Sequence, residues 1–239
     1  RVASRGLGDV YKRQVFAAIS GADFPGGGIE GEVGGEGGGT LDDVAKNVMA
    51  RDKVLYHGHA VAAVAAATPM AAEAALDAIK VEYEPLSPVL NVLQAMQADA
   101  LLVNEDNYTN LPKKPEHPSN VANQGRLERG SLEEGFLAAD VVVEREFKCP
   151  MAHQGYIEPQ ACVASIDEQG RGTVWCSTQG HFEFRAATSK MLGKDLADLK
   201  FVPMEIGGGF GGKTVVYLEP LAVMLSEKSG RPVKMALNR

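Results

Sequence analysis

The stretch "MEIGGGFGGKTVVYLEP", residues 204–220, carries five glycines in six positions, interrupted only by Phe210. It lies between a strand-like "LKFVP" and a helix-like "VVYLEPLAVMLSEKSG". A flexible linker would carry Ser or another polar spacer at the position of the aromatic residue. Successive glycines allow positive φ and let main-chain N–H groups converge on an anionic or oxo group, and a following helix N-terminus adds partial positive charge. The stretch therefore predicts a loop whose backbone passes close to a ligand.

Two nucleotide-binding patterns overlap this loop. Gly207, Gly209 and Gly212 fit GxGxxG, but no acidic residue closes a second strand about 20 residues further on. Gly207, Gly212, Lys213 and Thr214 fit the P-loop pattern GxxxxGK[ST], but Phe210 would press into the phosphate cradle. Nucleotide binding by the Gly207–Lys213 loop is an alternative that the sequence leaves open.

Composition excludes several classes of partner. The chain has 239 residues, of which 45% are hydrophobic and 23% charged, enough for one or two hydrophobic cores. Its net charge of -7, without a Lys/Arg cluster, argues against nucleic acid and anionic membrane surfaces. The apolar run around Pro69 is interrupted by acidic residues and does not predict a membrane span. Three widely spaced cysteines suggest neither a disulfide framework nor a cluster site. We expect small-molecule chemistry in the cytoplasm.

The first half of the chain alternates strand and helix signals. "VFAAIS", from Val15, predicts a strand, and a glycine-rich acidic loop follows from Gly26 to Asp43. "KVLYHGHAVAAVAA" predicts two short strands around a turn. Thr68 and Pro69 predict an N-cap and first helical residue, followed by a helix to about residue 79 and a strand, "KVEYEPL". Residues 87–130 are rich in Pro and Asn and predict a linker.

The second half predicts another mixture of strands and helices. Ser131 and Glu134 have capping-box spacing before a short helix to Ala138. Three strand-like runs follow, "DVVVEREFKC", "QACVASID" and "TVWCSTQ", the last two joined by a turn. "HFEFRAATSKMLG" predicts a helix ending at Gly193, and the strand 199–203, the glycine loop, a helix ending near Gly230 and a final strand, "RPVKMALNR", complete the pattern. The fold class is therefore α+β, a mixed α/β arrangement.

The two ends of the chain suggest a piece of a longer protein. Residues 1–14 begin without Met and show no periodicity, so we expect a non-native leader outside the fold. The final strand stops at Arg239 without a turn or tail. We predict four segments, namely the leader at 1–14, a first domain at 15–86, a linker at 87–130 and a second domain at 131–239.

Four stretches together resemble the molybdopterin-binding large subunit of the xanthine dehydrogenase and aldehyde oxidase family. "VLYHGHAVAAVAA" and "AAEAALDAIKVEYEPL" are similar to its α/β hammerhead domain. "HQGYIEPQACVA", "WCSTQG" and "GGGFGGK" resemble its first molybdenum-cofactor domain. The resemblance implies oxidation of an aldehyde or aromatic heterocycle, with water as the oxygen source. It also implies electron transfer to iron–sulfur and FAD centres on other domains or subunits, hence a hetero-oligomer.

The resemblance also implies roles for individual residues. Gln179 would hydrogen-bond an oxygen ligand of the metal and count as catalytic, and Gly209, Phe210 and Gly211 would line the dithiolene side of the cofactor, with no direct metal ligand from this chain. Thr214 stands where purine-oxidising members carry a substrate-contacting Glu. The family's general-base Glu belongs to a later part of the family chain, so we expect this 239-residue chain by itself to be inactive.

Other interpretations of these residues remain. Gln179 could cap the following helix, and Phe210 could be a loop aromatic pinned on the core. Glu158, in "IEP", resembles a structural carboxylate, and the acidic pairs Asp42/Asp43 and Glu133/Glu134 are expected to be helix-start charges. The histidines at positions 57, 59, 153 and 181 are expected to pack or hydrogen-bond rather than bind metal. A non-catalytic α/β binding or assembly domain is the alternative from a different functional class.

Overall fold

The computed structural model describes residues 2–4, 14–25, 28–33, 39–105, 119–121 and 124–238. The first half contains β1 (Val2–Ser4), β2 (Val15–Ser20), β3 (Glu32–Val33), β4 (Gly39–Thr40), α1 (Leu41–Val48), β5 (Ala62–Ala66), α2 (Pro69–Asp77), β6 (Ile79–Val81) and α3 (Val92–Ala95). The second half contains α4 (Leu132–Ala138), β7 (Ala161–Ile166), β8 (Gly172–Cys176), α5 (His181–Met191), β9 (Leu199–Pro203), α6 (Glu219–Ser229) and β10 (Val233–Ala236). The α+β class is confirmed. None of the described helices combines the length and hydropathy that a membrane crossing requires.

Alanine-rich segments build the first strand pair and its helix. β2 and β5 pair antiparallel, and alternate residues in both strands are buried. Helix α2 begins as predicted, because the Thr68 hydroxyl accepts a hydrogen bond from the Ala71 N–H and Pro69 occupies the first turn. Ala71 and Ala75 lie one turn apart and are both buried. The small side chains let this helix approach the strands closely.

Three expectations for the first half are wrong. "KVLYHGHAVAAVAA" forms one strand, β5, because residues 56–58 turn and the His59 ring accepts a hydrogen bond from the Leu55 N–H at 3.1 Å. "KVEYEPL" is a strand only over β6, where β1 pairs with it. β1 comes from the stretch that we expected to lie outside the fold. Three residues are too few to show a periodicity in the sequence.

Helix α1 begins inside the segment that we expected to be a loop. The Thr40 hydroxyl accepts a hydrogen bond from the Asp43 N–H at 3.2 Å, and the Asp43 carboxylate accepts one from the Thr40 N–H at 3.3 Å. This reciprocal pair is a capping box. Asp42 forms an ion pair with Lys46 one turn later, at 2.9 Å. Asp42 and Asp43 are therefore helix-start charges, as predicted.

A four-stranded sheet in the order β10, β7, β8, β9 forms the second half. β7 and β8 make the predicted hairpin, in which Asp167 donates its N–H to the Arg171 carbonyl at 2.7 Å. β9 runs parallel to β8, and α5 lies in the connection between them. α5 is followed, as predicted, by Gly193 in the left-handed region with a φ of 62°.

The stretch "DVVVEREFKC" is not the strand that its pattern predicts. Residues 140–149 have no regular secondary structure, and Val141 and Phe147 are 78% and 86% exposed. β-Branched residues favour a strand only where a neighbour supplies hydrogen bonds and packing. None of the described strands pairs with this stretch.

One hydrophobic cluster joins the two halves. Helix α6 packs against β7 and β2, and Gly230 ends it with a φ of 63°, as predicted. Near this end, Lys228 pairs with Asp23 at 2.8 Å, and the Arg231 guanidinium lies 4.2 Å from the centre of the Phe16 ring. The first strand pair therefore supports the helix that follows the glycine loop.

A carboxylate is buried at the first turn of α6. Glu219 is 2% exposed and accepts a hydrogen bond from the Tyr217 N–H at 3.2 Å. Burial raises the pKa of Glu219 to about 7 and that of the nearby Cys176 thiol to about 12. The folded pKa of Glu219 therefore exceeds its ordinary value, so ionisation of this carboxylate destabilises the fold.

We predict that Glu219→Gln becomes progressively more stable than the wild type as the pH rises. The wild type loses stability as the pH rises from 4.5, the ordinary pKa of Glu, through about 7. The loss amounts to about 3 kcal/mol, which the uncharged glutamine avoids. Denaturant unfolding at several pH values between about 5 and 8 measures the difference in unfolding free energy between the two proteins. Glu73→Gln, on the exposed side of α2, is the control. A pH-independent difference between Glu219→Gln and the wild type would contradict the burial argument.

Candidate functional site

Three segments meet at one edge of the four-stranded sheet. β8 and β9 are parallel and end opposite each other, at Cys176 and Pro203. β7 runs antiparallel to β8, with Cys162 opposite Cys176, and therefore begins at the same edge. The chain entering β7 and the chain leaving β8 and β9 are thus brought together by the topology of the sheet. These segments are residues 154–160, 177–180 and 204–214.

Gln179 ties the glycine loop to the end of β8. Its Oε1 accepts hydrogen bonds from the Gly211 N–H at 3.1 Å and the Lys213 N–H at 3.2 Å. Its own N–H donates to the Lys213 carbonyl at 2.9 Å. Because Oε1 is occupied, the orientation of the amide is fixed, and Nε2 donates to none of the described residues. The helix-cap alternative is wrong, since Gly180 is the N-cap of α5 and no side chain caps it.

The glycine loop has a backbone that few other residues could adopt. Gly208 and Gly211 have φ angles of 94° and 87°. Phe210 has a φ of 50°, the only positive value at a non-glycine residue among the described residues, and its side chain is 74% exposed. Phe210 is therefore not pinned on the core, contrary to the alternative interpretation. The loop presents an aromatic ring on a strained backbone, which is typical of functional sites.

The remaining loop glycines are needed for close packing. A Cβ at Gly207 would lie 2.6 Å from the Glu158 side chain, and one at Gly209 would lie 2.4 Å from Gln179 Oε1. At Gly212 the nearest atom, on the Tyr156 ring, would be 2.5 Å away. Glycine at these positions lets the loop rest directly on the side chains beneath it.

Three consecutive main-chain donors of the loop are unused. The N–H groups of Gly208, Gly209 and Phe210 donate no hydrogen bond to any residue in the described part of the chain. The N–H groups on either side are all occupied, by Glu158 at Gly207 and by Gln179 at Gly211. Consecutive free N–H groups form a concave site for an anion or another acceptor.

Glu158 and Lys213 form an ion pair beneath the loop. Lys213 Nζ lies 2.5 Å from Glu158 Oε2, and the same oxygen accepts the Gly207 N–H at 2.9 Å. The hydrogen bond from Lys213, together with that from Gly207, holds the pKa of Glu158 below its ordinary value. Glu158 is thus a structural carboxylate, in agreement with the expectation from sequence.

The loop geometry contradicts both nucleotide interpretations. A P-loop needs a helix N-terminus directly after the glycines and a lysine that reaches the phosphates. Here α6 begins only at Glu219, and the Lys213 side chain is fully buried against Glu158. The dinucleotide pattern also requires a helix that begins at the loop, and α6 begins seven residues after Gly212.

The other residues singled out by sequence take mostly structural positions. Thr214 is exposed and its hydroxyl donates to the Gly211 carbonyl at 3.0 Å. His59 is buried, with its two ring nitrogens bonded to the backbone of Leu55 and Lys46. His153 accepts the Gly155 N–H, and His181 lies against the Phe182 ring.

Sequence reasoning missed the support that Tyr156 and Gln160 give to the loop. Gln160 Nε2 donates to the Gly212 carbonyl at 3.0 Å and lies 2.8 Å from the Tyr156 hydroxyl. The Tyr156 ring lies against Gly212 and beside the Lys213 ammonium group. The signal available in the sequence was the polar run "HQGYIEPQ" directly before a buried strand.

Cavities lie both near the glycine loop and away from it. One of about 430 Å³ lies beside Tyr156 and Gln160 and reaches Leu237. Another, of about 450 Å³, lies between α1 and the segment around Val92, away from the glycine loop. The loop itself faces outward from the sheet edge, since Phe210 and Gly211 are exposed.

Comparison with protein families identifies both halves of the chain. Residues 113–239 match the family "Molybdopterin cofactor-binding domain". Residues 9–87 match "Aldehyde oxidase and xanthine dehydrogenase, a/b hammerhead domain". The segment boundaries predicted from sequence stay predictions.

Individual proteins resemble the chain over most of its length. A probable xanthine dehydrogenase subunit of Bacillus subtilis (strain 168) is 33% identical over 192 residues, covering 80% of this chain and 24% of that protein. "Nicotinate dehydrogenase large molybdopterin subunit" of Eubacterium barkeri is 32% identical over 188 residues, covering 79% of this chain and 41% of that protein. The crystal structure of a Cu,Mo-CO dehydrogenase in the carbon monoxide reduced state superimposes with a TM-score of 0.76 at 27% identity, over 100% of this chain and 30% of that one. The chain thus spans less than half the length of each of these proteins.

Proposed function

Since this chain belongs to the xanthine dehydrogenase and aldehyde oxidase family of molybdopterin-binding large subunits, we propose that it forms part of a molybdenum hydroxylase. In this proposal the glycine loop and Gln179 form one wall of the cofactor site. The observation that carries the proposal is that the N–H groups of Gly208, Gly209 and Phe210 and the Nε2 of Gln179 donate to none of the residues that the structure describes.

The residues present fit such a cofactor. Molybdopterin offers acceptor atoms in its ring, its phosphate and its dithiolene, and the loop offers N–H donors that the described residues leave unused. Apart from its two chain neighbours, none of the described residues comes within 4 Å of a Cβ built on Gly211, so a ligand can approach the backbone on that side. The positive φ angles at Gly208 and Gly211 suit a cradle of main-chain groups.

Each residue then has a definite task. When bound, the cofactor supplies the two-electron oxidation chemistry. Gln179 Nε2 would donate a hydrogen bond to an oxygen of the metal centre, and the contacts of Oε1 with the loop would hold it in place. Gly209 and Gly211 would let the backbone approach the dithiolene side of the cofactor, and the exposed Phe210 ring would shield it from water.

Glu158 is not the general base in this proposal. Its carboxylate is bound by the Lys213 ammonium group and the Gly207 N–H, and its pKa lies below the ordinary value. A general base needs a pKa near the working pH, which the Lys213 ammonium group opposes at Glu158. In this proposal the Glu base that the family resemblance implies is a residue other than Glu158.

We propose an aldehyde or an aromatic nitrogen heterocycle as substrate. The names of two relatives contain xanthine and nicotinate, which are both nitrogen heterocycles. Conversion of R–H and water to R–OH releases two electrons and two protons, which require an acceptor. We propose iron–sulfur and FAD domains or subunits for this task, in a cytoplasmic hetero-oligomer. Thr214 would contact the substrate through its hydroxyl, which already donates to Gly211 and keeps its lone pairs available.

The test is substrate-dependent dye reduction, in water labelled with ¹⁸O, by the purified hetero-oligomeric enzyme that contains this chain. We expect at least one aldehyde or nitrogen heterocycle to reduce the dye and to yield a product containing ¹⁸O. Reactions without substrate are the control. Failure of every such compound with a fully loaded enzyme would contradict the proposed reaction class.

A further inference from the structure

Lys213 lies in an environment that is rare for lysine. Its side chain is fully buried, and Nζ is 2.5 Å from Glu158 Oε2 and 5.3 Å from the centre of the Tyr156 ring. Burial of an ammonium group is unfavourable, and an apolar side chain of similar volume is often as stable. A charge at this position therefore calls for an explanation other than stability.

Every polar group of Lys213 contacts a residue that shapes the loop. The N–H donates to Gln179 Oε1, and the carbonyl accepts the Gln179 N–H at 2.9 Å. The Thr178 hydroxyl also lies 3.4 Å from that carbonyl. Nζ reaches Glu158, which is 55 positions away in sequence. Lys213 is thus the point at which the ends of β8 and β9 and the segment before β7 are joined.

Glu158 fixes the other end of the loop. Its carboxylate accepts the Gly207 N–H at 2.9 Å, and its own N–H donates to the Gly207 carbonyl at 3.3 Å. The ion pair therefore connects the first glycine of the loop to the residue that follows the last one. The positive φ of Phe210 is unfavourable and persists only where the surrounding contacts determine the backbone.

We propose that Lys213 is a positioning residue, whose ion pair with Glu158 clamps both ends of the glycine loop. The clamp keeps the N–H groups of Gly208, Gly209 and Phe210 and the Nε2 of Gln179 directed at the cofactor. This inference rests on the proposed function. A methionine at position 213 would fill the same volume, but it would leave the Glu158 carboxylate free to turn away from Gly207.

The test compares Lys213→Met with Lys228→Met, which removes the same charge from an ion pair with Asp23 far from the loop. In Lys213→Met we expect hydrogen exchange of the 207–214 peptide, measured without cofactor, to accelerate about tenfold. In loaded enzyme we expect kcat per molybdenum to fall about tenfold with KM unchanged, because the donors are misplaced and not removed. Lys228→Met should match the wild type in both measurements.

Glu158→Gln is the second variant. It keeps an acceptor for the Gly207 N–H but loses the negative charge, so hydrogen exchange should accelerate and kcat per molybdenum should fall, as in Lys213→Met. If Lys213→Met does not fold, Glu158→Gln alone tests the clamp. If the folded variants show the wild-type rate of hydrogen exchange in the 207–214 peptide and the wild-type kcat per molybdenum, the clamp proposal is wrong. If the wild type binds no molybdenum, the proposed function fails, while the exchange measurement still decides whether the clamp exists.

Discussion

Replacing Gly211 by valine should lower the molybdenum content of the enzyme at least about tenfold while leaving the fold intact. Gly211 has a φ of 87°, and no described residue other than its two chain neighbours lies within 4 Å of a Cβ built on it. The valine side chain would therefore project into the open space that we assign to the cofactor. Left-handed backbone costs a non-glycine residue only about 1–2 kcal/mol, so the domain should survive. Metal analysis with thermal unfolding measures both effects.

Gly193→Val is the matched control for backbone strain. Gly193 also has a positive φ, 62°, and open space around its Cβ, but it lies after α5 and away from the loop. We expect a similar loss of stability with full molybdenum content. Full molybdenum content in Gly211→Val, or an equal loss in Gly193→Val, would contradict the placement of the cofactor against Gly211.

Replacing Gln179 by glutamate should slow turnover about 10²-fold without removing the cofactor, by analogy with the loss of one preorganised donor. Glutamate keeps an oxygen that can accept the Gly211 and Lys213 N–H groups, but it lacks the Nε2 donor. Gln179→Ala removes donor and acceptor together. It should therefore lose cofactor as well as turnover, because the loop is no longer held.

Comparing the two Gln179 variants separates the effect of the Nε2 donor from the effect of the Oε1 contacts that hold the loop. kcat per molybdenum, with metal content and KM measured on the same preparations, gives the two contributions. Wild-type kcat in Gln179→Glu would show that Gln179 only braces the loop. Full metal content and wild-type kcat in Gln179→Ala would remove it from the site altogether.

The elements that sequence predicted correctly are those determined by local chemistry. Thr68 and Pro69 start a helix, Gly193 and Gly230 end helices, and the turn at Asp167 closes a hairpin, all through contacts within about five residues. The strand predicted at 140–149 failed for the opposite reason, since a strand needs a partner that local sequence does not specify.

In the candidate site, too, sequence indicated individual residues but not the contacts between distant segments. The glycine run and Phe210 marked the loop, and the family resemblance pointed to Gln179 and Glu158. The hydrogen bonds from Gly211 and Lys213 to Gln179 and the ion pair of Lys213 with Glu158 join residues more than 30 positions apart. The pairing of β8 with both β7 and β9 brings them together, so the sequence suggested a P-loop lysine where the structure has a buried structural cation.

The molybdenum and pterin content of the wild-type enzyme tests the central claim most directly. Enzyme purified from molybdate-supplied cells would be analysed for metal by mass spectrometry and for pterin by fluorescence after oxidative release. We expect close to one molybdenum and one pterin per chain. Absence of both from folded protein made in cells that load other molybdenum enzymes would contradict the claim.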